Sequence, residues 1–185
     1  RFGFNFEEKR MTERVEVRIR RATAADAADV TEIYRGPAAM AGTFQLPYPA
    51  ESTWAERLAN PAAGTWLLAA EVDGRVVGMA GLHGNPSVAR RSHAATIGIG
   101  VHDDWQGRGV GTALMQAIVD LADNWLNLLR LELEVYADNE AGVRLYERFG
   151  FVEEGRHRAY AYRNGEFVDA IAMARVREER LPALR

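Results

Sequence analysis

Between residues 105 and 115 the chain reads Trp-Gln-Gly-Arg-Gly-Val-Gly-Thr-Ala-Leu-Met. An alternating apolar segment precedes this run, and an apolar stripe at helical spacing comes after it. The run is therefore a strand-to-helix junction carrying Gly107, Gly109 and Gly111. Such a junction exposes backbone N–H groups at a helix N-terminus, where the helix dipole favours negative charge. Glycine lets a bulky anion come close to the main chain. The run reads as a pyrophosphate cradle, with a ligand-free glycine turn as the plainer alternative. A P-loop needs Gly-x-x-x-x-Gly-Lys-Ser/Thr, a string absent from the chain. A dinucleotide fingerprint needs Gly-x-Gly-x-x-Gly; begun at Gly107 its third glycine falls on Thr112, and begun at Gly109 it falls on Leu114. What remains is Gln106-x-x-Gly109-x-Gly111.

Length and composition narrow the partners. A chain of 185 residues suits one domain with a sizeable core. Its 23 basic and 26 acidic residues leave a net charge of −3, which argues against bulk binding of nucleic acid. Without cysteine there is no disulfide framework, thiolate metal site or cysteine nucleophile. The four histidines share no metal-ligand spacing, so no metal is expected. No apolar run has the length of a membrane span, and no signal-peptide pattern appears, so a cytoplasmic protein is expected. Residues 1–10 differ in character from the rest of the chain, and Met11 reads as a natural start. The expected organisation is an N-terminal extension over 1–10, one domain over 11–176 and a frayed tail over 177–185.

Periodicity supplies the elements. Val15–Arg20 alternates as a strand, and Thr23 with Asp26 opens a helix that Gly36-Pro37 breaks. Residues 36–50 read as a loop, with a short helix after it over 51–58. Strands over 66–72 and 75–82 flank the hairpin dipeptide Asp73-Gly74. A third strand runs from His93 to Val101, where Gly98 and Gly100 suggest a bulge or a close approach to the backbone. Val110, Ala113, Leu114, Ala117, Ile118, Leu121 and Trp125 mark a long amphipathic helix. Leu129–Tyr136 is a strand, Asn139–Phe149 a helix stopped by Gly150, and Asn164-Gly165 turns a final hairpin. The order β-α-α-β-β-β-α-β-α-β-β predicts a mixed α/β sheet with helices on both faces.

That order, with Gln106-x-x-Gly109-x-Gly111 after the fourth strand, resembles the GCN5-related N-acetyltransferase (GNAT) superfamily. A second run agrees: Asp138-Asn139-Glu140-Ala141-Gly142-Val143-Arg144-Leu145-Tyr146-Glu147-Arg148-Phe149-Gly150-Phe151 is similar to the family's Asn…Ala…Tyr…Phe-Gly-Phe segment. Three more runs resemble the bacterial L-amino acid N-acetyltransferase group: Thr43-x-Gln45-x-Pro47-x-Pro49, Asp123-Asn124-Trp125-Leu126, and Arg163-Asn164-Gly165-Glu166-x-Val168-Asp169-Ala170.

The resemblance implies the GNAT fold and attack of an amine on the acetyl-CoA thioester. The expected acceptor is the α-amine of an L-amino acid. The alternatives are a polyamine, a drug or a protein N-terminus, or a non-catalytic acetyl-CoA sensor. Family analogy also implies a homodimer. The backbone of Gln106, Gly107, Arg108, Gly109, Val110, Gly111 and Thr112 would hold the pyrophosphate, while Ile99, Gly100 and Val101 would hold the pantetheine arm like an added strand. An N–H of Ile99 or Val101 would face the thioester oxygen. Tyr146 would protonate the departing thiolate, and Asn139 would hydrogen-bond near the pantetheine. Their plainer readings are a core tyrosine and a helix N-cap. Trp105 reads as packing beneath the cradle. For the acceptor pocket the loop Thr43–Tyr48 is favoured, with Thr43, Phe44 and Gln45 at its heart and Tyr34 and Tyr160 as further candidates. Glu32, His93, His102 or a backbone-held water remain open for the general base.

Overall fold

The protein is described from a computed structural model covering residues 16–181. The extension expected over 1–10 and the end of the tail lie outside these residues. In chain order the elements are β1 (Arg18–Arg21), α1 (Ala27–Arg35), α2 (Pro37–Ala41), α3 (Glu51–Ala59), β2 (Thr65–Val72), β3 (Arg75–Gly84) and β4 (Ala94–Val101). Then come α4 (Val110–Asp120), β5 (Arg130–Tyr136), α5 (Glu140–Arg148), β6 (Val152–Arg163) and β7 (Glu166–Val176).

Both predicted hairpins form where their turn residues sit. Asp73 and Gly74 take φ 49° and 78°, and Asn164 and Gly165 take 52° and 87°. Two successive left-handed residues match the twist of paired strands. The seven strands run β1-β2-β3-β4-β5-β7-β6 across the sheet. All neighbours are antiparallel except β4 and β5.

The sheet has a core on each face. On one, α1 and α3 bring Val30, Ile33, Tyr34, Trp54 and Leu58 onto Leu67, Val76 and Met79. On the other, Val110, Leu114, Met115 and Ile118 of α4 cover Val77, Leu82, Leu131, Leu133 and Val135. Near the first core, Arg20 forks onto Asp26 at 2.9 and 2.8 Å and reaches Glu71 at 2.7 Å, pinning β1 to the start of α1. These hydrogen bonds hold the Asp26 carboxyl below the usual carboxylate range.

Several expectations are corrected. Gly36-Pro37 ends α1 but also starts α2, inside what reads as a loop. Proline suits the first turn of a helix, and the Asp103 carboxylate accepts from the Ala38 and Ala39 N–H groups at 2.9 Å each. The long helix leaves its period after Asp120, where Leu121–Trp125 form a π-turn closed by the Leu126 N–H on the Leu121 carbonyl at 3.0 Å. That extra residue per turn rotates Trp125 off the apolar stripe, and it is 76% exposed. No bulge interrupts β4, whose register against β3 is continuous from Ala95 to Val101. The tail is tethered where it begins: the Arg177 N–H donates to the Leu129 carbonyl at 3.0 Å, and its side chain donates to the Asp123 carbonyl at 2.9 Å.

Candidate active site

The site begins with a sheet that comes apart. β4 and β5 pair only over Ala94–Thr96 and Arg130–Glu132. Beyond that, β4 stays with β3 and β5 with β7, so a gap opens between them. Hydrogen-bonding residues alternate along an antiparallel strand. The His102 N–H donates to the Val77 carbonyl at 2.9 Å. In that register Gly98 and Gly100 bond to β3, while the N–H groups of Ile99 and Val101, beyond the last β5 pair, face the gap. The Val101 carbonyl on that side takes a hydrogen bond from Gln106 Nε2 at 3.3 Å, tying the glycine turn to the strand end.

The turn itself requires glycine. Gly107 and Gly109 take φ 72° and 90°, and a Cβ on either would meet nothing within 4 Å. The backbone conformation, not crowding, excludes other residues here. Gly109 is the cap of α4, and its carbonyl accepts the Ala113 N–H at 3.0 Å. No side chain caps this end, so the Val110, Gly111 and Thr112 N–H groups lack a partner within the helix. Gly111 and Thr112 line a cavity of about 870 Å³, whereas Val110 is fully buried and does not line it. Arg108, Arg144, Arg148 and Arg163 line it with the turn, Ile99–Val101, Asn139 and Tyr146. An anion with an extended amide-bearing arm fits these walls: orphan N–H groups at one end, an unpaired strand edge along one side.

A second cavity of about 630 Å³ adjoins the first, and the two share Gly42, Thr43, Ile99 and Tyr146. Thr43, Phe44 and Gln45 do line the second cavity. Thr43 Oγ1 is spent on the Ala39 carbonyl at 2.9 Å, closing α2. Phe44 packs against Tyr136 and Tyr160, each ring centroid 5.7 Å away. Leu46 and Tyr48 do not line it and stand in solvent, so the acceptor loop is shorter than expected. Tyr34 and Tyr160 both belong to the wall. Tyr34 stacks on Trp54 at 4.8 Å, and its ring lies 2.7 Å from where a Gly100 Cβ would stand. Gly100 therefore answers to Tyr34, whereas nothing in the protein stands within 4 Å of a Cβ at Gly98.

Tyr146 sits at the waist between the cavities. Its ring lies 5.9 Å from Phe151, and its hydroxyl makes no hydrogen bond. Among the described residues no enclosed side-chain polar atom lacks a partner, so this hydroxyl looks into the cleft. Burial pushes its pKa up to about 12, keeping the phenol protonated near neutrality. Asn139 is the N-cap of α5, its Oδ1 accepting the Gly142 N–H at 2.9 Å, and it also lines the larger cavity. Trp105 packs on the core beneath the turn, with the Arg108 guanidinium 5.2 Å above its ring.

Three candidate bases fall away. Glu32, His93 and His102 line neither cavity. Glu32 pairs with Arg35, and His102 Nδ1 accepts the Asp104 N–H at 3.2 Å. The titratable groups on the smaller cavity are instead His83, Glu134, Arg57 and the tyrosines. His83 and Glu134 end or interrupt apolar alternations in their strands, where the sequence pattern reads them as solvent-facing. Arg144 and Arg148 are more accessible to sequence reasoning, since Glu140, Arg144 and Arg148 recur every fourth residue on one side of α5.

This fold and this site place the protein in a known class. Residues 28–151 match the model of the acetyltransferase (GNAT) family, and the chain belongs to it. It is an acetyl-CoA-dependent N-acetyltransferase. The chain is similar to the L-amino acid N-acetyltransferase AaaT of Escherichia coli, 41% identical over 162 residues that cover 88% of this chain and 99% of that protein. It is also similar to an N-alpha-acetyltransferase of Sulfurisphaera tokodaii, 32% identical over 168 residues covering 86% and 92% of the two chains. Among solved structures, a GNAT phosphinothricin acetyltransferase from Sinorhizobium meliloti in complex with AcCoA matches with a TM-score of 0.77. It covers 86% of this chain and 88% of that one, and at 23% identity it speaks for the fold alone.

Proposed function

We propose that this protein acetylates the α-amine of a free L-amino acid, with acetyl-CoA held in the larger cavity and the acceptor in the smaller. The observation that carries the reading is the shared waist: Tyr146 and Ile99 line both cavities. Only there can a thioester from one side meet an amine from the other.

The uncapped N–H groups of Gly111 and Thr112 take the pyrophosphate, with Arg108 and Arg148 close by; Arg148 already reaches Thr112 Oγ1 at 3.4 Å. Gln106 acts through the strand end it anchors. The gap-facing N–H groups of Ile99 and Val101 take the pantetheine arm and the thioester oxygen. A preorganised donor at a developing oxyanion is typically worth about 3 kcal/mol. Asn139 turns its remaining amide toward the same arm. Tyr146 delivers its proton to sulfur as the carbon–sulfur bond breaks.

On the acceptor side, Arg57 is the one guanidinium lining the smaller cavity among the described residues, and it has no ion pair. It rests 5.2 Å from the Trp54 ring. A carboxylate-bearing amine has a use for this cation, and a polyamine does not. AaaT, named for L-amino acids, points the same way. The test is release of free thiol from acetyl-CoA against L-amino acids, peptides with a free N-terminus, polyamines and aminoglycosides. Turnover strongest with amino acids is expected. Preference for peptides or polyamines would overturn the acceptor assignment, and tight CoA binding without turnover would make the protein a sensor.

A further inference from the structure

We propose that His83 is the group that takes the proton from the attacking amine, reaching it across a bare floor of two glycines. The inference rests on the acetyltransferase reading of the smaller cavity and assigns the base that this reading leaves open.

Gly81 on β3 and Gly98 on β4 are direct cross-strand partners. Neither projects a side chain, and the space over Gly98 is open. Over Gly81 it is filled by the imidazole of His83, two residues on along the same face. The atom nearest to a Gly81 Cβ would be His83 Nε2, so this nitrogen is turned onto the floor. The other ring nitrogen, Nδ1, stands 3.5 Å from Thr65 Oγ1. The tautomer carrying its hydrogen on Nδ1, toward Thr65, leaves a lone pair on Nε2 directed at the floor. Gly98 immediately precedes Ile99, whose N–H looks into the gap. An amine over Gly98 is thus beside the thioester position and in front of His83.

The surroundings suit a neutral base. Arg57 faces the same cavity from α3, Glu134 from β5, Tyr34 from α1, Tyr146 from α5 and Tyr160 from β6. His83 forms no ion pair with any of them. His83 is solvent-exposed, and the partial desolvation it does undergo lowers its pKa from the ordinary histidine value. Among the described residues it is the one histidine on either cavity.

Protons and electron pairs balance across the step. The amine nitrogen forms its bond to the thioester carbon, and the carbonyl pair moves onto oxygen. The nitrogen, now positively charged, gives a proton to His83 Nε2. The oxygen pair returns, the carbon–sulfur bond breaks, and sulfur takes the phenolic proton of Tyr146. Solvent carries the imidazolium proton back to the phenolate. One proton leaves nitrogen and one ends on sulfur.

The test compares His83→Gln with the wild type in kcat/KM against pH, with proton NMR titration of the imidazoles in the ligand-free protein. The acceptor's own ammonium gives one acid limb near pH 8 or above, about the value of an ordinary α-amine. In the wild type the profile should steepen from unit slope to a slope of two below the His83 midpoint seen by NMR. His83→Gln should lose the steeper limb and about a hundredfold or more in kcat/KM, the usual scale of general base help. Its thermal stabilisation by CoA should be unchanged. Gly81→Ala, which drives the ring off the floor, should reproduce the loss more mildly. A His83→Gln variant that retains the second limb and near-wild-type turnover overturns the proposal. So does loss of that limb in Glu134→Gln instead. Failure of the wild type to turn over any amine would sink the acetyltransferase reading itself and this inference with it.

Discussion

Replacing Tyr146 by phenylalanine separates catalysis from packing more cleanly than any other change at this site. The ring keeps its neighbour, Phe151, at 5.9 Å. The lost hydroxyl has no hydrogen-bond partner in the protein, so its removal strands no buried group. Stability should therefore move by no more than about 0.5 kcal/mol, the range of an uncoupled substitution. Turnover should fall about 10²–10⁴-fold, the usual contribution of a positioned acid, or roughly 3–5 kcal/mol on the barrier. The assay is steady-state thiol release at saturating acetyl-CoA, paired with thermal unfolding with and without CoA. The KM for acetyl-CoA should hardly change, because the proton is needed only as sulfur departs. The pH dependence has a definite sign. Burial pushes the phenol up to about 12, so the acid form persists through the alkaline range. Wild-type kcat should then show no falling limb from this group until the pH nears that value. A phenylalanine variant that is folded, binds CoA and turns over like the wild type would refute the assignment. Loss of folding would restore Tyr146 as a core residue.

Three further changes probe the rest of the cleft. Gly109→Ala meets no steric obstacle but must hold φ 90°, at a cost of about 1–2 kcal/mol, so CoA affinity by calorimetry should drop at least about fivefold. Arg57→Gln should raise KM for an amino acid by about tenfold or more, the scale of a charged hydrogen bond, yet leave KM for the matching amino amide almost unchanged. Asp169→Ala removes the carboxylate that accepts the Ala159 N–H at 2.8 Å and holds Ala159 at φ 51° in the irregular middle of β6. That irregularity turns Tyr160 toward Phe44, so the variant should raise KM for the acceptor but not for acetyl-CoA.

How much of the site is legible in the chain depends on distance along it. The cradle is local: Gly107, Gly109 and the apolar stripe after them lie in one run, and the turn chemistry decides the conformation without help. Tyr146 and its cap Asn139 lie within one helix, as do both hairpin dipeptides within their turns. The features that escape a sequence reading are built by partners far apart. α2 forms because Asp103, some sixty residues on, caps it. Gly100 is required by the ring of Tyr34, and periodicity has no view of that contact. Trp125 leaves its predicted face because a π-turn shifts the helical phase by one residue, which a fixed period of 3.6 cannot follow. His83 stands out from His93 and His102 only through its fold-back onto Gly81, and nothing in its strand pattern distinguishes it from a surface histidine.

The same contrast explains why the cofactor declares itself and the acceptor does not. The larger cavity presents main-chain groups where charge must be met: orphan N–H groups of α4 and the gap-facing edge of β4. Backbone groups are common to every residue, so their use constrains the sequence only through glycine and through where strands stop pairing. The smaller cavity is walled by side chains from α1, α3, β3, β5 and β6 and from the 43–45 loop. None of these wall residues belongs to the glycine turn. A shared acetyl donor with divergent acceptors is the physical consequence, and similarity to AaaT bears on the acceptor only as far as these walls are preserved. The discriminating measurement is therefore at Arg57 and His83. If both variants leave acceptor preference and the pH profile as they were, the walls named here do not select the amine, and its recognition lies in the larger cavity's rim instead.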